Sequence, residues 1–160
     1  MVKVMGTKEE PPFDRLKKPS IVTIVIMAIM IVVHTIQYWA AGDWSHTDYI
    51  VENIIIVFWG IVVPIIIIVL IYIGKKIYQD TESITLIFGI IFVVLSAILS
   101  AISSYWFVKN IVNLVGNISY GAVVIICYVI MIPLISIVLF MQIKNLLSGV
   151  EIIKAYNAKV

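Results

Sequence analysis

The sequence predicts an all-α integral membrane protein: four transmembrane helices in an antiparallel bundle, both termini cytoplasmic, short loops and an amphipathic C-terminal helix. Three observations predict this fold. First, four apolar runs at about 21–41, 49–73, 84–107 and 119–141 fill most of the 160 residues, and none contains Lys or Arg. Each reaches the roughly 20 residues that a helix needs to cross a bilayer core about 30 Å thick. Second, the chain is 62% hydrophobic and 12% charged, with mean hydropathy +1.14; a soluble domain carries about 25% charged residues. Third, the basic residues gather on alternate connections. Lys3, Lys8, Arg15, Lys17 and Lys18 precede the first run, Lys75 and Lys76 follow the second, and Lys144, Lys154 and Lys159 follow the fourth. Only Lys109 falls on the other side. Lys and Arg concentrate on cytoplasmic loops, so both termini are expected inside a cell membrane. The net charge of +2 reflects this topology and points to no nucleic acid.

The chain divides into a basic N-terminal arm (1–20), a transmembrane domain (21–142) and an amphipathic tail (143–160). Pro11-Pro12 and the surrounding charges make the arm a flexible or surface-lying segment. The first run is read as a retained helix. Its apolar core is longer than that of a leader, and Tyr38 and Trp39 crowd the small-residue site Ala40-Ala41-Gly42.

Helix 1 carries one polar stripe: Thr23, Met27, Met30, His34, Gln37 and Ala41. Steps of four and three keep these residues on one face, which is expected to pack inward. An ionisable side chain as deep as His34 faces protein or water rather than lipid. Ser45 and Asp48 form a capping pattern at the start of helix 2, and Glu52 and Asn53 follow about one turn in. With Asp43 and His46, Asp48 and Glu52 make an outer acidic cluster without metal-ligand spacing. A hydrogen bond from His34 to Glu52, Asn53 or Tyr72 is the expected structural role of the histidine.

Gly74-Lys75-Lys76 reads as a helix stop, and Asp80, Thr81 and Ser83 offer caps for helix 3. Helix 3 carries small residues at four-residue spacing: Ser96, Ser100 and Ser104 beside Ala97 and Ala101, with Gly89 further down. Such residues let helices approach closely in lipid. Pro64 and Pro133 each remove a backbone hydrogen bond and favour a kink in helices 2 and 4. Tyr38-Trp39 with Pro64 and Tyr105-Trp106 with Pro133 hint at a duplicated hairpin, although aromatic belts and Ile/Val runs match by chance. Asn117-Ile118-Ser119 is an N-x-S sequon close to the membrane. Tyr38, Trp39, Trp44, Tyr49, Tyr105, Trp106 and Tyr120 mark the outer interface. In the tail, Ile143, Leu146, Leu147, Val150 and Ile153 oppose Lys144, Glu151 and Lys154.

The single Cys127 precludes an intramolecular disulfide, and no phosphate-binding, zinc-protease, nucleophile-elbow or dinucleotide motif occurs. The expected function is therefore a non-catalytic accessory subunit of a larger membrane complex, respiratory or otherwise energy-transducing, with other integral membrane subunits and the bilayer as partners and no cofactor of its own. One alternative is a small homo-oligomeric transporter or channel with His34 and Glu52 in a polar path. Another is a haem b protein in which His34 ligates iron and a partner chain supplies the second ligand.

Overall fold

The computed structural model describes residues 13–42, 47–78, 83–116 and 121–158. A 3-10 turn (Phe13–Leu16) leads into α1 (Lys17–Ala41). Then come α2 (Thr47–Val57), a π-helical segment (Phe58–Val62) and α3 (Val63–Tyr78), followed by α4 (Ser83–Gly116) and α5 (Ala122–Asn157). Four stretches are long and apolar enough to cross a membrane: Phe13–Ala41, Tyr49–Lys76, Thr85–Gly116 and Ala122–Asn157. The Ser45 cap, the sequon at 117–119, Asp43, His46, Asp80, Thr81 and Pro11-Pro12 lie outside the described residues.

α1 turns small, polar and methionine side chains inward and Ile and Val outward, whereas the second span packs Ile56, Val63, Ile67 and Ile71 inward. On α1, Ser20, Thr23, Met27, Met30, His34 and Gln37 are buried, while Ile21, Val25, Ile29, Val32 and Ile36 are exposed. This suits lipid, where apolar side chains gain nothing by leaving the surface and helices associate through close packing and hydrogen bonds. The most extensive packing joins α4 to α5, and α5 also lies along α1. Across the α1–α5 contact, the Gln142 amide donates to Thr23 Oγ1 at 2.7 Å and the Asn145 amide donates to Ser20 Oγ at 3.2 Å. All four side chains are fully buried. The hydroxyls pass their own protons to the carbonyls of Pro19 and Leu16.

Two close approaches depend on glycine. A Cβ on Gly60 would sit 2.5 Å from Met27 Cγ. A Cβ on Gly149 would sit 3.1 Å from the Val93 backbone nitrogen, and one on Gly89 would sit 2.7 Å from Ile153 Cγ1. Gly60 thus brings the second span onto α1, and the Gly89–Gly149 pair brings α4 onto α5. Gly42 closes α1 in the left-handed region (φ 79°), its N–H returning to the carbonyls of Trp39 and Tyr38.

The structure departs from sequence expectation at several points. The arm assigned to 1–20 is folded from Phe13 onward: Phe13 and Leu16 are buried, and Phe13 meets Phe92 edge-on with centroids 6.3 Å apart. Gly74 stops no helix. It lies inside α3, where its bare Cα makes room for the Phe13 ring. The tail continues α5 as far as Asn157 and turns Asn145, Ser148, Gly149 and Ile152 inward while Leu147 is exposed. The four-residue stripe on α4 does not stay at one contact. Ser96 is buried and Ser100 half-buried, but Ala97, Ala101 and Ser104 are exposed, and Ser103 takes the inward position. Four residues overshoot a 3.6-residue turn by about 40°, so a strict four-step row drifts off the face. The inward face instead alternates threes and fours through Phe92, Ser96, Leu99, Ser103, Trp106 and Asn110.

The two prolines also differ. Pro64 is buried directly after the π segment, where the Val63 N–H reaches back five residues to the Phe58 carbonyl. A proline ring crowds the carbonyl four residues earlier, and the wider turn relieves that crowding. Pro133 is exposed, and α5 continues through it.

Candidate functional site

Near the Ala41 end of α1, three helices converge on the Glu52 carboxylate. His34 Nε2 of α1 donates to Glu52 Oε2 at 2.8 Å. Lys109 Nζ of α4 donates to Glu52 Oε1. The His34 and Glu52 side chains are 6% and 17% exposed and Lys109 35%, so a formal ion pair reaches into the bundle with its cation toward the rim. A carboxylate taken out of water alone would be strongly unfavourable; an ammonium partner and a second donor offset that cost. The other ring nitrogen, Nδ1, is buried without a partner.

Aromatic rings fix the imidazole. Tyr38 meets it edge-on at 4.7 Å and Tyr49 stacks on it at 5.9 Å. The Tyr49 hydroxyl is itself held 3.2 Å from Thr35 Oγ1, whose proton goes to the Ile31 carbonyl. Thr35 and Tyr49 therefore tie α1 to the start of α2 just beside the histidine.

Beside the pair lies a cavity of about 160 Å³. Its polar lining is His34, Gln37, Glu52, Lys109, Asn110, Asn113 and the hydroxyl-bearing Tyr38 and Tyr128; Ile56, Trp106, Val124 and Met131 supply apolar wall. Gln37 is 6% and Tyr128 8% exposed. Neither the Gln37 amide nor the Tyr128 hydroxyl has a hydrogen-bond partner among the described residues. Buried polar groups are nearly always satisfied, so both are available to something small inside the cavity.

The structure thus brings together His34, Gln37 and Glu52, which the sequence singles out. It leaves Asn53 at the side, its amide donating to the Tyr49 carbonyl at 3.1 Å. Tyr72 is remote from His34 and lies under the Lys17 ammonium at 5.5 Å. Haem ligation by His34 finds little support, because Nε2 is bonded to Glu52, Nδ1 is sealed and tyrosines cover the ring. Among the described residues, no three His, Cys, Asp or Glu side chains gather around a possible metal position.

Sequence reasoning missed Lys109, Asn110, Asn113 and Tyr128 as site residues. A usable signal existed. Trp106, Lys109, Asn110 and Asn113 repeat at helical spacing beyond the third apolar run, so a helix continued past Phe107 places them on one face. No family model, curated protein or solved structure matches the chain.

Proposed function

We propose that this chain is a small membrane transporter or channel that binds a polar solute at the Glu52 cavity and passes it across the bilayer, alone or as a homo-oligomer. The observation that carries the reading is the ion pair of Glu52 and Lys109 on the wall of a cavity with unpartnered polar groups. Ionisable groups within membrane helices cluster on solute and ion pathways. The proposal includes antiparallel neighbouring helices and both termini on the cytoplasmic side of the cell membrane, a reading that the distribution of Lys and Arg favours.

Reconstitution into liposomes tests this function. Stopped-flow light scattering after an osmotic step, run across small neutral, zwitterionic and ionic solutes, is expected to show faster entry of at least one class than in protein-free vesicles. Glu52→Gln and His34→Ala are each expected to slow it about tenfold, equivalent to about 1.4 kcal/mol at 25 °C. Rates equal to those of protein-free vesicles for every solute reject transport.

A second reading, the accessory subunit of a respiratory or other energy-transducing complex, is favoured by the small-residue face of Ala97, Ala101 and Ser104, which is exposed among the described residues. Native mass spectrometry from source membranes distinguishes the two. Stoichiometric larger subunits support the accessory role, and a homo-oligomer or monomer rejects it.

A further inference from the structure

The opposite end of the bundle, where α1 begins, is strongly positive. Among the described residues it carries seven Lys and Arg side chains and two acids, Asp14 and Glu151. Both acids are occupied: Lys75 bonds to Asp14, and Arg15 bonds to Glu151. Five lysines remain, Lys17, Lys18, Lys76, Lys144 and Lys154, that pair with no acid among the described residues. Over the whole sequence the segments 1–20, 74–83 and 143–160 keep this excess, with ten Lys and Arg against six Asp and Glu.

A groove of about 320 Å³ runs along the first turns of α1 at this end, lined by Asp14, Lys17, Lys18, Ile21 and Val22. Since Asp14 is bonded to Lys75, Lys17 and Lys18 give the groove its net positive charge. The Lys17 ammonium also lies 5.5 Å over the Tyr72 ring of α3, so the charged part of the groove borders a second helix. Both lysines are exposed, and long lysine stems can lie along apolar surface while the ammonium reaches polar groups. Directly below them Ile21 opens the outward row of α1, which continues through Val25, Ile29, Val32 and Ile36, all exposed. Two cations thus stand at the head of an unbroken apolar strip. A water-borne anion would use the cations alone, and a zwitterionic lipid would bring its own cation to a wall already positive. An anionic phospholipid matches both parts, and basic pockets at the ends of membrane helices are known to take such headgroups.

We propose that the groove at Lys17 and Lys18 is a binding site for an anionic phospholipid, its phosphate held by the two ammonium groups and one acyl chain lying along Ile21, Val22 and Val25. The site is separate from the Glu52 cavity and does not depend on solute binding there.

Native mass spectrometry of the full chain, released from micelles holding equal amounts of phosphatidylglycerol and phosphatidylcholine, tests the site. Bound phosphatidylglycerol is expected to exceed bound phosphatidylcholine by at least about fivefold, the scale on which lysines near a membrane surface attract anionic lipid. Lys17→Gln with Lys18→Gln is expected to bring the two lipids to near parity. Lys144→Gln with Lys154→Gln removes the same charge from α5 and is expected to keep most of the preference. Because Lys17 touches Tyr72, Lys18→Gln alone serves as the milder variant and should lower the preference in part. Thermal unfolding in phosphatidylcholine is expected to be the same for all four proteins, since the substituted side chains are exposed. Excess glycerol phosphate, a headgroup without chains, is expected to leave the bound lipid in place. Equal binding of the two lipids by the unaltered chain overturns the proposal. So does an equal loss in the two double variants, which would mean diffuse charge without a site. Displacement by glycerol phosphate overturns it as well, in favour of a water-borne anion.

Discussion

At the scale of single residues, Glu52 shows why a charge can persist inside an apolar bundle: it bonds to side chains from two other helices, His34 on α1 and Lys109 on α4. Removing one partner strands the other. A fully buried pair loses about 3–5 kcal/mol when one partner is removed. Lys109 is about a third exposed, so water supports the orphaned carboxylate, and Lys109→Met is expected to cost only about 1–3 kcal/mol. The double variant Glu52→Gln with Lys109→Met should be more stable than Lys109→Met alone. Unfolding of the four proteins in mixed micelles measures the coupling, and strictly additive effects would remove Glu52 and Lys109 as partners. Thr23→Val tests the polar contact at the other end of α1. It leaves the buried Gln142 amide without its acceptor, and the expected loss is about 0.6–1.7 kcal/mol, the range measured for hydrogen bonds between membrane helices.

At the scale of elements, the two glycine contacts make separate predictions. Gly149→Ala drives a methyl toward the backbone of Val93, which cannot move aside, whereas Gly89→Ala meets the flexible end of Ile153. Overpacking costs about 1–3 kcal/mol, with Gly149→Ala expected near the top of that range and Gly89→Ala near the bottom. The reverse order in thermal unfolding would contradict the assignment of α4–α5 as the tight crossing. Gly60→Ala collides with Met27 and is expected to be rescued in part by Met27→Ala. The helix boundaries explain what the sequence did and did not make legible here. The spans were readable because lipid demands long apolar runs. Their ends were not, because hydropathy falls at Lys109 and Asn110 while hydrogen bonding carries α4 on to Gly116. Three of the eight polar residues of the cavity wall, Lys109, Asn110 and Asn113, therefore lay in what hydropathy alone treats as loop. The inward stripe of α1 was legible from Thr23 to Gln37, since its polar side chains recur on a single face; Ser20 extends it, and Ala41 is only partly buried. On α4 the serines were legible but their rotation about the axis was not, because two candidate rows, at steps of four and of three, compete on one helix.

At the scale of the whole molecule, the outside is apolar, unlike that of a water-soluble bundle. Exposed Ile and Val cover it, while buried amides, hydroxyls and an ion pair sit among two apolar clusters in the interior. That arrangement suits a bilayer on all sides. Its consequence is checkable with single thiols on a Cys127→Ser background. α1 has 25 residues and is about 38 Å long at about 1.5 Å per residue. Arg15→Cys and Gly42→Cys flank it, so an impermeant maleimide is expected to reach one of them from each face of intact vesicles. Labelling of both from one face would mean that α1 does not cross. The pairing of His34 with Glu52 needed this level of description. Sequence offered both residues and named the bond among three candidates, but which neighbour His34 meets depends on how α1 and α2 rotate against each other.

That rotation is set in part by the π segment at Phe58–Val62. A π turn holds one residue more than an α turn over nearly the same length. It acts as a phase shifter between two lengths of ordinary helix: the part bearing Glu52 keeps one angular setting, and the part bearing Val63, Ile67 and Ile71 keeps another. Winding the same residues as uniform α-helix would turn one half relative to the other by about 100°. Either the Glu52 carboxylate would swing away from His34, or the Ile67–Ile71 face would swing away from the bundle. The spare residue acts like a vernier, allowing a site at one end of the span and a packed interface at the other to be aligned independently.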